Sequence, residues 1–326
     1  MNIMLASCIA LVSSLILTVI FIPLLIRFMR SHHEGQEIRD EGPKWHQKKS
    51  GTPTMGGTVF VIAAGISVIW VAAWQHNLNK VVWILVISLL GYGIIGFLDD
   101  GIKLYFKRNL GLRAWQKLVL QILFAGALAV YMAMFSEYGT EVWIPFIDKY
   151  VDFGALYFPF VIFVVVAMAN AVNLTDGLDG LSSGVTTLVA FFFGAVAVSF
   201  GHAAGMNFCA ALCGGCLGFL FFNKFPAKLF MGDTGSMALG GALAAAAIIM
   251  KVEFLLPIAG LVYVLEALSV IMQVGYFKMT GGKRIFKMAP IHHHFEECGM
   301  KEQHVVIMFW IVALVCCAIA AVVIGL

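Results

Sequence analysis

The 326-residue sequence predicts an all-α polytopic membrane protein of about ten transmembrane helices, with both termini on the outer side. Three observations predict it. Hydrophobic residues make up 61% of the chain and charged residues 12%, with mean hydropathy +0.93; a soluble domain carries about a quarter charged residues. Apolar stretches near the roughly 20 residues that span a bilayer recur from end to end. Lysine and arginine gather on one side of those stretches.

The stretches fall at 3–26, 56–75, 81–98, 117–135, 155–172, 182–200, 207–222, 235–250, 254–277 and 304–325. The first has no basic region before it and no small-residue cleavage site, so it reads as a retained helix. The seventh is short and Gly-rich. The ninth is long and contains Pro257, which predicts a bend. No linker is long or polar enough for a second fold, so residues 1–326 read as a single transmembrane domain.

Basic residues orient the chain. With the N-terminus outside, the inner loops hold Arg27, Arg30, Arg39, Lys44, Lys48 and Lys49; then Lys103, Lys107, Arg108, Arg113 and Lys117; then Lys224 and Lys228; then Lys278, Lys283, Arg284, Lys287 and Lys301. These are 18 of the 21 basic residues, leaving Lys80, Lys149 and Lys251 outside. The outer segment 137–154 alternates (Val142, Trp143, Ile144, Phe146) and predicts a small hairpin whose aromatics suit the headgroup region. A net charge of +3 is too small to imply a nucleic-acid partner. Six of the seven cysteines lie in apolar stretches; Cys213 and Cys216 have metal-like spacing but no companion ligands, and read as packing residues.

The inner loops carry polar clusters that a topology signal does not require. Asp99 and Asp100 end the third stretch, where the helix dipole disfavours negative charge; they need a cation such as Lys103, or a metal. The third inner loop, Asn170 to Gly180, holds Asn170, Asn173, Asp176 and Asp179 among glycines and no basic residue. Asx-Gly turns account for part of that composition, polar chemistry for the rest. In Phe230-Met231-Gly232-Asp233-Thr234-Gly235-Ser236, Asp233 is either an N-cap or a metal-binding or nucleophilic carboxylate beside an aromatic platform, Phe230. Three histidines, His292, His293 and His294, lie among basic residues with no thiolate or i,i+4 His pair, so contact with phosphate fits better than zinc. Lys48 to Gly57 is basic and hydroxyl-bearing, and Glu266 and Gln273 lie inside the ninth stretch, where polar groups face protein or a cavity. Clustered carboxylates suit Mg²⁺, and lysines and histidines suit phosphate oxygens. Phosphoryl transfer needs both, and at a membrane it implies a lipid-borne phosphate.

These motifs, the Asp-Asp pair, Asn-x-x-Asp-Gly-x-Asp-Gly, Phe-x-Gly-Asp-x-Gly-Ser and the histidine run, resemble the polyprenyl-phosphate N-acetylhexosamine-1-phosphate transferases. Pro-Ile-His-His-His-Phe-Glu and Gly-Thr-Pro-Thr-Met-Gly-Gly are similar to one branch of that family, the phospho-N-acetylmuramoyl-pentapeptide transferases, over essentially the whole chain. The resemblance implies a reaction of undecaprenyl phosphate with UDP-N-acetylmuramoyl-pentapeptide giving lipid I and UMP, with Mg²⁺ as cofactor, in the bacterial inner membrane with the active site on its cytoplasmic face. It implies that Asp233 holds Mg²⁺ on the diphosphate, and that Asp99 deprotonates or orients the lipid phosphate with support from Asp100. Lys49, Asn173, Asp176 and Asp179 would shape the nucleotide site, Phe230 would stack on uracil, and Thr54 would bind substrate. Lys103, Lys117, Asn223, Gln273, His292 and His293 would line the phosphate and sugar region. Partners beyond the two substrates are membrane lipid and, as a family expectation, a second copy of the chain. A sister transferase using UDP-N-acetylglucosamine is the nearest rival, opposed by the histidine run. A transporter would need ionisable residues along a midplane path, which only Glu266 and Gln273 offer.

Overall fold

The computed structural model describes residues 3–31, 49, 51–106 and 110–326. Arg39, Lys44, Lys48, Lys107 and Arg108 of the topology argument lie outside the described residues, as does Ser50 of the Lys48–Gly57 segment. Among the described residues, ten helices are long and apolar enough to cross a membrane, as the sequence predicts. They are α1 (Ile3–Ser31), α2 (Gly57–Trp74), α3 (Lys80–Tyr105), α4 (Ala114–Phe135), α5 (Tyr157–Thr175), α6 (Leu181–Ser199), α7 (Ala203–Asn223), α8 (Gly232–Ile249), α10 (Leu261–Met279) and α12 (Glu302–Val323). Two short helices complete the set, α9 (Leu256–Ala259) and α11 (Ile291–Glu297). The chain is therefore a multi-pass membrane protein.

The predicted bend is a break. Pro257 sits in the first turn of α9, where its missing N–H costs nothing. The helical path is interrupted three residues later at Gly260 and resumes as α10. The outer hairpin also forms: β1 (Glu141–Ile144) pairs antiparallel with β2 (Lys149–Asp152), with Trp143 opposite Tyr150. Lys251, which the sequence reading assigns to the outer loops, is buried beneath this hairpin. Its Nζ donates to the carbonyls of Gly139 (2.9 Å) and Glu141 (2.8 Å) and lies 4.5 Å from the centre of the Tyr157 ring. Burial holds the Lys251 ammonium below its usual pKa and pushes the neighbouring Glu253 carboxyl up to about 8.

The centre of the bundle is α8. In its sequence, GDTGSMALGGALAAAAII, ten of the eighteen residues are glycine or alanine. It packs chiefly on α3 and α5, and every residue from Thr234 to Ile249 is buried. Small residues let membrane helices approach until backbones touch. At Gly96 a Cβ would run into the Asp233 carbonyl, and at Gly57 into the backbone of Gly235. The amino ends of α2 and α8 and the inner end of α3 are thereby held within backbone contact.

Gly96→Ala is expected to cost about 1–3 kcal/mol through overpacking. Gly101→Ala, five residues on with nothing within 4 Å of its Cβ position, is expected to be neutral or to gain about 0.5–1 kcal/mol. Thermal melts of the two variants in detergent check this; equal melting temperatures would contradict the account of the α3–α8 contact.

Candidate active site

Three polar groupings lie at the end of the bundle opposite the hairpin. The first joins α3 to α8. Met231, just before α8, makes no side-chain cap. Asp100 caps α8 from the neighbouring helix: its carboxylate accepts from the amides of Asp233 (3.1 Å) and Thr234 (2.9 Å) and from Thr234 Oγ1 (2.7 Å). A carboxylate there satisfies orphan N–H groups and meets the positive end of the helix dipole. Gly232 enters the helix at φ +75°, and a side chain on it would strike the Asp100 carboxylate.

With its cap supplied from α3, Asp233 is not an N-cap. It stands in the first turn of α8, and its carboxylate accepts from Lys103 (2.9 Å), Lys117 (2.6 Å) and Asn173 Nδ2 (2.8 Å). Asp99 is 1% exposed. Its Oδ1 accepts from the Leu112 amide (2.8 Å) and meets Lys117 at 3.2 Å, while its Oδ2 meets Lys103 at 2.6 Å. Lys103 is thus the cation that carboxylates near the end of α3 require. The i,i+4 pair with Asp99 also supports α3 beyond its predicted end at residue 98, to Tyr105. Oxygens of Asp99, Asp100 and Asp233 come within 4.8 Å of one another, an all-oxygen set of the kind a hard divalent cation takes.

The second grouping ties four loops together. Lys49 Nζ lies 2.7 Å from Asp179 Oδ1 and 2.6 Å from Glu302 Oε1. Asp179 Oδ2 accepts from the Ala227 amide at 2.9 Å, and the Asp179 amide donates to Glu302 at 2.9 Å. Asn223, 3% exposed, accepts from the Gly180 amide (3.0 Å) and donates to the Leu229 carbonyl (3.0 Å). Backbone bonds from Phe230 to Pro53 (2.8 Å) and from Gly56 to Phe230 (2.9 Å) set buried Thr54 beside the Phe230 segment. Glu302 was not foreseen. In sequence it is one acidic residue in the first turn of a helix, an ordinary placement, and only the fold brings Lys49 to it.

Asp176 lies in the loop between α5 and α6, partly buried. Burial, then the charges of Asp233, Asp100 and Asp179, push its carboxyl well above the usual range. The carboxyl that feels all three of these charges links the first grouping to the second.

The third grouping is the histidine run. His292 Nδ1 lies 2.9 Å from Glu266 Oε2, with both side chains fully buried, and His293 Nδ1 lies 2.8 Å from Glu296 Oε2. His294 Nδ1 accepts from the Lys287 amide at 3.1 Å. Gln273 spends its amide on the same segment: it accepts from the Ile285 and Phe286 amides, each at 3.0 Å, and donates to the Phe286 carbonyl at 3.2 Å.

Carboxylates interleaved with lysines at one end of a helical membrane bundle define a class: enzymes that handle phosphates at a membrane surface. In line with this, the profile of glycosyl transferase family 4 matches residues 82–251. That range includes Asp99, Asp100, Asn173, Asp176, Asp179 and Asp233. The phospho-N-acetylmuramoyl-pentapeptide-transferase signature 1 matches residues 49–61, which include Lys49 and Thr54. The chain is 62% identical to the phospho-N-acetylmuramoyl-pentapeptide-transferase of Lactobacillus acidophilus over 97% of each chain, and 62% identical to that of Lactobacillus helveticus over 97% of each. It is 50% identical to that of a Thermoanaerobacter species over 96% of each. The chain belongs to the phospho-N-acetylmuramoyl-pentapeptide-transferase family.

The raised pKa of Asp176 makes its contribution to stability depend on pH. Below the ordinary carboxyl range both folded and unfolded chains hold the proton, and Asp176 costs nothing. As pH rises, the unfolded chain ionises first, so stability falls until the folded-state pKa is passed. Asp176→Asn, which cannot ionise, is therefore expected to melt above wild type at pH 8, with the gain shrinking toward pH 4. Melts across that range in detergent test it; a variant less stable than wild type at pH 8 would refute it.

Proposed function

We propose that this chain transfers phospho-N-acetylmuramoyl-pentapeptide from its UDP-linked donor to undecaprenyl phosphate, giving lipid I and UMP. The observation that carries the reading is the pair of lysines bridging Asp99 and Asp233 beside the Asp100-capped start of α8. It supplies, within a few ångströms, cationic contacts for phosphate oxygens and carboxylates for a divalent cation. Family membership and the signature over residues 49–61 support the donor. The excess of basic residues on this side of the spans supports a cytoplasmic site in the bacterial inner membrane.

An oxygen of the lipid phosphate attacks the phosphorus that carries the sugar. A new P–O bond forms there, and the bridging bond to UMP breaks, with its electrons leaving on the UMP phosphate. No strong acid is needed, because a phosphate is already a stable leaving group. Asp99, held by Lys103, Lys117 and the Leu112 amide, orients the incoming lipid phosphate and takes its proton where one is present. Lys103 and Lys117 exchange a carboxylate for phosphate oxygens as the substrates enter. Asp100 keeps the start of α8 in place, and Asn173 fixes the Asp233 carboxylate. The Lys49–Asp179–Glu302 cluster frames the nucleotide side, with Phe230 as the surface on which uracil stacks. His292 and His293 line the sugar-phosphate region.

The residues present fit Mg²⁺: Asp233 would hold it, with Asp99 and Asp100 near by, in an oxygen-only set. When bound it withdraws charge from the diphosphate, so that an anionic nucleophile can approach.

Two outcomes are expected in a detergent-solubilised assay that follows UMP release from UDP-N-acetylmuramoyl-pentapeptide and undecaprenyl phosphate. Asp233→Asn should lower turnover by about three orders of magnitude or more while still inserting and folding, with a lowered melting temperature; near-wild-type turnover would sink its assignment. Chelation of divalent ions should stop release and added Mg²⁺ should restore it. Undiminished release in excess chelator would remove the metal from the reaction.

A further inference from the structure

The Glu266–His292 pair has features that substrate lining by His292 alone leaves unexplained. Glu266 stands in α10, in a membrane span, where a carboxylate is costly and marks function by default. Both side chains are 0% exposed, and a single contact joins them, Nδ1 to Oε2 at 2.9 Å. Among the described residues, His292 Nε2 and Glu266 Oε1 have no hydrogen-bond partner. Buried polar atoms are ordinarily satisfied, so an unpaired ring nitrogen here marks a hydrogen bond that another molecule completes.

The direction of that nitrogen is given by Gly177. A Cβ at Gly177 would collide with His292 Nε2 and Cε1 before anything else. Gly177 does not have the left-handed φ that would call for glycine, unlike Gly180 three residues on. Its missing side chain therefore admits the imidazole itself, whose Nε2 edge packs against Gly177, one residue from Asp176. The Glu266 carboxylate on Nδ1 leaves the ring one orientation and assigns the Nδ1 proton to that contact.

We propose that Glu266 is a positioning residue: it holds the His292 ring with Nε2 against Gly177, beside Asp176, so that the Nε2 lone pair accepts from a sugar hydroxyl of the UDP-linked donor. This rests on the transfer reaction proposed above and assigns it a residue outside the carboxylate-lysine cluster. Glu266→Gln keeps an acceptor for Nδ1–H but loses the charge, and Glu266→Asp keeps the charge but draws it back by one methylene.

The test measures UMP release by wild type, Glu266→Gln, Glu266→Asp, His292→Gln and the double variant Glu266→Gln/His292→Gln, each with its melting temperature. Glu266→Gln is expected to lose about tenfold or more in kcat/KM with a melting temperature near wild type, and Glu266→Asp to recover part of the loss. Because Glu266 acts through His292, the double variant should be no less active than His292→Gln alone. Losses that multiply in the double variant, or Glu266→Gln activity within about twofold of wild type, would overturn the proposal. If Glu266→Gln does not fold, the same comparison is made with Glu266→Asp alone and combined with His292→Gln. A wild-type enzyme that releases no UMP overturns the transfer reaction itself, a different result from an active wild type with additive variants.

Discussion

Everything at the polar end of this bundle depends on a helix that begins against another helix's carboxylate. Asp100 receives the first amides of α8, and that contact fixes both the depth at which α8 starts and the direction in which Asp233 leaves it. It requires two helices to meet backbone to backbone, which Gly96 on α3 permits. An amide–carboxylate bond of this kind is charge-assisted and stronger than a neutral one. Because the cap comes from outside α8, the Asp233 carboxylate is released from capping and can turn to Lys103, Lys117 and Asn173.

Charge balance then explains why the site tolerates burial. Asp99 and Asp100 are almost fully buried, a state that is expensive for an unpaired carboxylate. Lys103 and Lys117 each bridge Asp99 and Asp233, so neither of those carboxylates lacks a cation. Removing one member of such a buried set commonly costs about 3–5 kcal/mol, because its partners are left uncompensated. In the proposed reaction, substrate phosphates and a divalent cation would enter by exchanging partners within the set.

The helices were legible because length and hydropathy are summed over some twenty residues, and tertiary context seldom overrides such a sum. The Asp, Asn and His motifs were legible because their composition departs from what orientation alone demands. Other features lay beyond the sequence for definite reasons. Asp100 looks like its neighbour Asp99, and only the position of α8 makes one a cap and the other a partner of lysines. Glu302 and Lys49 are 253 residues apart, and neither carries a local mark of the other. Lys251 counts as an outer basic residue by topology, yet it is a buried donor to hairpin carbonyls. The bend expected from Pro257 falls at Gly260, because proline is at home in a first helical turn.

The composition of α8 has a further consequence, for biogenesis. Close packing against α3 and α5 demands glycine and alanine, and these leave α8 the least apolar of the ten described spans. Such a segment gains little from contact with acyl chains; its affinity is for other helices. Insertion of α8 is therefore coupled to assembly, and a chain lacking α3 or α5 would leave this segment poorly retained in the bilayer. The carboxylate at its start reaches Lys103, Lys117 and Asn173 only as the bundle closes, so a half-assembled chain lacks the complete carboxylate–lysine set.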